Sequence, residues 1–187
     1  MGFETPEKSW TEFASQERAD IKYHARANRK TNDCWRISRE AEFNIDFIWN
    51  VEPNNEGRVQ LERRTDFFFS INSNSTYSFE MYSNDFFNRL ALIFKSNKMK
   101  IEDEELDRNF VFISNNKALT RKFTIPLKSF FQQNHKTGFL IMVEKSEIEN
   151  EATRLLIQVN ELLIEKSDIE LFFKLGSEMQ QLISKTF

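Results

Sequence analysis

The feature that most constrains this chain is an alternation that begins at Phe43. Phe43, Ile45, Phe47, Trp49 and Val51 alternate with Asn44, Asp46, Ile48 and Asn50. A period of two places every second side chain on one face of a strand, so the stretch predicts a half-buried β-strand with large apolar side chains toward a core. Pro53-Asn54-Asn55-Glu56-Gly57 supplies turn residues, and Val59 and Leu61 resume the alternation. That combination predicts a β-hairpin. Phe67, Phe69 and Ile71 suggest a third strand, Tyr77, Phe79 and Met81 a fourth, with Asn72-Ser73-Asn74-Ser75 as the turn between them. Four sequential strands joined by short turns imply an antiparallel meander.

After the strands the period changes. Ser83 or Asn84 can cap a helix whose face carries Phe86, Phe87, Leu90, Ile93 and Phe94. Asp103-Glu104-Glu105-Leu106-Asp107 reads as an acidic connector, and Phe110-Val111-Phe112-Ile113 as a short buried strand. Asn115 or Asn116 can cap a brief helix through Phe123, and Pro126 suits the first turn of the next, where its missing N–H costs nothing. Residues 139–143 and 154–159 predict a second hairpin. The clearest helix comes last: Ser167 and Glu170 match a capping box, and Ile169, Phe172, Phe173, Leu175, Met179, Leu182 and Ile183 form one stripe. The expected class is α+β, an antiparallel meander with hairpins, packed with short helices and a long C-terminal amphipathic helix.

The 187 residues, 20 of them Phe, suffice for one aromatic-rich core, so residues 1–187 read as a single domain with a soft seam near 95–107. Residues 1–35 are poorly patterned, and only one or two loosely packed helical turns are expected from 9 to 32. The 26 basic and 29 acidic side chains nearly cancel, which disfavours generic coating of nucleic acid. Cys34 is the one cysteine, so no intrachain disulfide is needed and a reducing cytoplasm suits the chain. No secretory pattern opens the sequence and no window approaches the run of about 18 apolar residues that a membrane helix needs. Without a signal, Asn74-Ser75-Thr76 is an incidental glycosylation match.

Residues 101–116, Ile101-Glu102-Asp103-Glu104-Glu105-Leu106-Asp107-Arg108-Asn109-Phe110-Val111-Phe112-Ile113-Ser114-Asn115-Asn116, resemble a phrase found in an uncharacterised group of bacterial domains. There an acidic stretch leads into Phe-Asp-Arg-x-Phe-x-Val-x-Ser-Asn, followed by short helices, a hairpin and a C-terminal helix. The chain from about Arg63 onward is similar in order and spacing, with Leu106 in place of the aromatic. The resemblance implies an arrangement of elements and no activity, cofactor or catalytic residue.

Chemistry-bearing groups are sparse. His24 lies among Lys22, Arg26, Arg29 and Lys30, and His135 follows the predicted Phe130-Phe131 helix. Neither has the nucleophile and orienting group that base catalysis requires. Cys34 with His24 would need two more ligands to hold zinc. The acids at 103–107, like Glu147, Glu149 and Glu151, read as solvated segments. The four glycines are too scattered for a phosphate loop, so no cofactor is expected. The charge asymmetry is basic: Lys22, Arg26, Arg29, Lys30, Arg36 and Arg39 are candidates for weak contact with an anionic surface, with Tyr23 and Trp35 available for stacking. These readings point to a non-enzymatic interaction or scaffold domain with a protein partner. The competing expectation is a carrier of a hydrophobic small molecule or lipid in a Phe-lined cavity.

Overall fold

The computed structural model describes residues 5–25, 33–40, 42–53, 59–71, 77–84, 96–133, 139–145 and 153–186. They form an α+β fold. The strands are β1 (Asp20–His24), β2 (Cys34–Arg39), β3 (Phe43–Pro53), β4 (Val59–Ile71), β5 (Phe79–Ser83), β6 (Lys98–Met99), β7 (Phe110–Ser114), β8 (Phe139–Lys145) and β9 (Thr153–Val159). The helices are α1 (Lys8–Gln16), α2 (Glu104–Asn109), α3 (Lys117–Lys122), α4 (Thr124–Gln133) and α5 (Lys166–Ser184). The order along the sheet is β1-β2-β3-β4-β9-β8-β5-β7-β6, and every pairing whose register is described is antiparallel. The chain divides into two compact units, Met1–Phe68 with Gln158–Phe173 and Phe69–Ile157 with Lys174–Phe187. Residues 95–107 of the expected seam belong to the second.

In the first unit β3 is buried on both faces rather than half-buried, because Asp46 and Ile48 of the opposite face are enclosed along with Ile45 and Phe47. Phe43, Ile45 and Phe47 are buried, and Trp10 of α1 stacks on Phe47 with ring centroids 4.1 Å apart. Phe173 of α5 meets both Phe13 and Phe43 edge-on, at 5.4 and 4.8 Å, and Phe172 stacks on Phe67 at 5.7 Å. The Trp10 indole donates to the Leu163 carbonyl at 2.8 Å. Thr65 accepts from the Leu163 amide at 3.0 Å and donates to the Glu161 carbonyl at 2.9 Å. These bonds fasten the segment that leads into α5.

In the second unit Met81 of β5 sits between Phe112 of β7 and Ile141 of β8, all three buried. Tyr77, Phe79 and Phe123 form a ring cluster, with Phe79 and Phe123 edge-on at 5.0 Å. Phe131 stacks on Phe110 at 4.5 Å. Leu175, Gly176, Met179 and Ile183 are the buried line of α5 here, and the Gln180 side chain donates to the Ser70 carbonyl at 2.6 Å.

Several details depart from the sequence reading. Residues 59–61 and 67–71 belong to one strand, β4, although Arg63, Arg64, Thr65 and Asp66 interrupt the apolar pattern. The interruption is tolerated because Thr65 is satisfied by the 161–163 backbone, while Arg64 and Asp66 pair with each other at 3.1 Å on the opposite face. The meander stops at β4: β9 and β8 lie between β4 and β5. Helix α1 is firmly packed, with Trp10 and Phe13 fully buried, and the chain after it forms β1, which the sequence reading omitted. A two-turn helix that buries three residues and an end strand that buries little give almost no periodic signal. The 103–107 connector is largely helix α2, with Asp103 as its cap. Helix α5 starts one residue ahead of Ser167, and the Glu165 carbonyl takes the amides of Asp168 and Ile169 at 3.1 and 3.3 Å. The turn at 54–57, the turn at 72–75 and the helix expected at 86–94 lie outside the described residues.

Gly176 offers a sharp test of the α5 packing. A Cβ placed there would stand 2.0, 2.4 and 2.7 Å from three carbons of the Phe69 ring. Alanine favours a helix by about 1 kcal/mol over glycine, whereas overpacking a core costs about 1–3 kcal/mol or more. With the ring itself buried, the clash wins. Gly176→Ala is expected to lower the urea midpoint, and an unchanged or raised midpoint would contradict this packing.

Candidate functional site

The first three strands present two different surfaces. On one, the register aligns Lys22 of β1, Arg36 of β2 and Asp46 of β3 in a single row. Arg36 grips Asp46 with a two-pronged fork, Nε and Nη2 each 2.6 Å from a carboxylate oxygen. Such bidentate pairs are shorter and stronger than neutral hydrogen bonds. Asp46 is 6% exposed, so the fork takes the place of the water that burial removes. Lys22, well exposed, reaches Asp20 at 3.1 Å.

Cys34 occupies the same surface and is 5% exposed. Burial pushes its thiol from an ordinary 9.0 up to about 12; the Asp46 carboxylate adds to the rise, Arg36 opposes it, and Asp33 and Asp66 contribute further. A thiol held protonated in this way is a poor nucleophile and a poor metal ligand. His24 lies across from it in register, and among the described residues no group of three His, Cys, Asp or Glu is placed to hold a metal ion.

Of the six predicted basic contacts, three are described, and they do not share a surface. Lys22 and Arg36 are neighbours, each with an acid. Arg39 points to the other side, where its guanidinium donates to the Glu17 carbonyl at 2.8 Å, meets Glu42 at 2.5 Å and lies 5.1 Å from the centre of the Phe43 ring. Arg26, Arg29 and Lys30 lie outside the described residues, as does His135.

The second surface is aromatic. Tyr23, Trp35 and Phe47 align across β1, β2 and β3. Tyr23 lies 5.6 Å from the Trp35 ring and 6.3 Å from Trp49. Its hydroxyl donates to Asp33 at 3.1 Å, and that bond, more than burial, raises the phenol above its ordinary value. Tyr23 is still 49% exposed. Four of the five β1 residues are exposed, and β1 ends the strand order. The sequence reading picked out Tyr23 and Trp35 for stacking; it did not group them with Trp49 and Asp33, which come from β3 and from the residue before β2 and so leave no local pattern.

In the 101–116 phrase the side chains of Glu102, Asp103, Asp107, Ser114, Asn115 and Asn116 hold caps, turns and ion pairs. Asp103 accepts from the Leu106 amide at 3.1 Å, and Lys128, 2.5 Å away, holds its carboxyl below the usual range. Asp107 accepts from the amides of Ile101 and Glu102 at 2.9 and 3.1 Å. Glu102, in the left-handed region at φ 69, pairs with Arg121 and Lys117. The Asn115 side chain accepts from the Ser78 amide at 3.0 Å, and Asn116 caps α3 through Leu119 at 3.0 Å. Ser114 accepts from the buried Thr120 hydroxyl at 2.8 Å and from the Asn116 amide at 3.1 Å. Tyr77 stands 3.3 Å from Thr120, and burial pushes its phenol up to about 12 against the effect of the Thr120 and Ser114 hydroxyls. A general acid would need a raised carboxyl, and Asp103 moves the other way. On β5, burial and a 2.6 Å bond to Glu80 raise the Tyr82 phenol as well.

Two outcomes follow. Arg36→Ala strands a buried carboxylate and is expected to cost about 2 kcal/mol or more, whereas Lys22→Ala, which removes an exposed pair, should stay within about 0.5 kcal/mol; urea titration of both measures the difference. For Cys34, between pH 9.0 and about 12 an unfolded chain gives up the thiol proton while the folded chain keeps it. The folded state therefore binds more protons there, and stability, intact below pH 9.0, falls as pH rises through that window. Cys34→Ala should flatten that fall, and iodoacetamide at pH 9.0 should label Cys34 slowly until denaturant is added.

No protein-family model matches the chain, and no curated protein or solved structure matches it either, so what it does has to be argued from its own residues.

Proposed function

We propose that the chain is a non-enzymatic protein-interaction domain whose binding element is the outer edge of β1. The observation that carries this reading is the placement of β1: it ends the strand order, is exposed along most of its length and shows the half-exposed Tyr23 ring beside Trp35 and Trp49. The backbone of an end strand is a template for another strand, and tyrosine is enriched where proteins bind one another. The opposite end, β6, has two residues and offers little such template. Charged side chains on an edge often serve to repel a second strand. Here Lys22 is offset by Asp20 at 3.1 Å, which weakens that protection.

Three other readings have less support. A hydrophobic carrier would spread its rings around a ligand, whereas here rings pack in pairs, Trp10 on Phe47 and Phe67 on Phe172 in the first unit and Phe79 on Phe123 in the second. Catalysis lacks a candidate pair among the described residues, since the acids and hydroxyls of the 101–116 phrase serve caps and turns. Contact with anionic surfaces is at most weak and salt-sensitive, because the described cations Lys22, Arg36 and Arg39 have acid partners. A buried, protonated Cys34 fits a reducing compartment such as the cytoplasm, and no described helix is long and apolar enough to cross a membrane.

Placing a photoreactive phenylalanine analogue at Tyr23, and as a control at the 79% exposed Ile125 of α4, tests the reading in cells that make the protein. Discrete protein adducts are expected from position 23 and not from position 125. Equal or absent adducts at the two positions would remove the support for β1 as the binding element.

A further inference from the structure

We infer that the strand recognised by β1 is β1 of a second copy of this chain, paired antiparallel about a two-fold axis through Ile21; this rests on the reading of β1 as the binding element. The argument is one of charge register. Across an antiparallel pair about a two-fold axis, facing positions are displaced equally from the residue on the axis, so the choice of axis residue fixes every facing pair.

With Ile21 on the axis it faces the partner's Ile21, Asp20 faces the partner's Lys22, and Lys22 faces the partner's Asp20. Ala19 then faces the partner's Tyr23. The interface therefore has two opposite-charge pairs on one face and an apolar row on the other. Both sets come from the alternation that β1 already shows, with Asp20 and Lys22 on the face of Arg36 and Ile21 and Tyr23 on the face of Ile37 and Trp35. Moving the axis to Lys22 sets Lys22 against the partner's Lys22, and moving it to Asp20 sets two carboxylates against each other. Like charges directly opposite destabilise a strand pair, whereas opposite charges stabilise it.

Among the described residues little has to be given up for this pairing. β1 has β2 as its one neighbour in the strand order, and the Asp20–Lys22 contact lies at the surface, 72% and 68% exposed, where exchanging one such contact in each copy for two across the axis costs little. A strand of five residues buries a small area, so the dimer is weak and reversible, dissociating in the micromolar range or above.

Sedimentation equilibrium of the full chain from low micromolar to near-millimolar concentration tests this. The wild type is expected to be a reversible dimer. Asp20→Lys sets two lysines against each other at both contacts, and Lys22→Asp sets two carboxylates, so each variant should dimerise about tenfold or more weakly. Mixing the two variants should restore association as a heterodimer. The double exchange Asp20→Lys with Lys22→Asp should restore the homodimer, which it does only if position 20 faces position 22 of the partner. Unaltered urea midpoints would show that all variants fold. A monomeric wild type at every concentration, single variants that dimerise like wild type, or a double exchange that fails to recover would each overturn the inference. A monomeric wild type that still gives discrete adducts at position 23 with other proteins would sink the self-pairing and leave the β1 reading standing; absence of both would sink the two together.

Discussion

A sheet face lined with phenylalanine cannot be left in water. Each ring carries about 150–250 Å² of surface that must be covered, and α5 supplies much of the cover. In the first unit Phe172 and Phe173 reach Phe67, Phe43 and Phe13; in the second the helix presents Gly176 to Phe69. The position of α5 in turn fixes other parts. The chain entering it has to be held, which the Trp10 indole and the Thr65 hydroxyl do, and α1 is thereby tied to the first unit by polar as well as apolar bonds.

The buried polar groups follow the same logic. Thr65 and Thr120 are wholly buried, and each makes hydrogen bonds inside the protein, because an unmatched hydroxyl there would cost about 1–3 kcal/mol. Asp46, 6% exposed, is hydrogen-bonded at both carboxylate oxygens by the Arg36 fork. Such groups resemble catalytic residues in being buried and polar. Their partners are internal: backbone groups at 161 and 163 for Thr65, the Ser114 hydroxyl and the Asn116 carbonyl for Thr120, and a guanidinium for Asp46.

Legibility in the sequence tracked the strength of each periodic signal. Phe43 to Trp49 and the stripe from Ile169 to Ile183 were plain because their side chains have a single apolar environment on one face. β4 looked like two strands because Thr65 and Asp66 are polar residues buried within it, Thr65 against the 161–163 backbone far away in sequence and Asp66 beside Arg64. The order of β4, β9 and β5 depended on long-range pairing that no local turn encodes. For the candidate site, Tyr23 and Trp35 could be named from their residue type, but their grouping with Trp49 and Asp33 is a product of register. The Ser114-Asn115-Asn116 run was recognisable as a motif, and its purpose as a set of turn and cap acceptors became apparent only with the backbone amides it serves.

Each compact unit is assembled from two separated stretches of chain, residues 1–68 with 158–173 and 69–157 with 174–187. In the order of synthesis Phe13, Phe43 and Phe67 precede Phe172 and Phe173 by about 100 residues or more, so those ring contacts form late, whereas Trp10 and Phe47 belong to the same early stretch and can stack as soon as it is made. The first unit is thus completed only after most of the second has been translated.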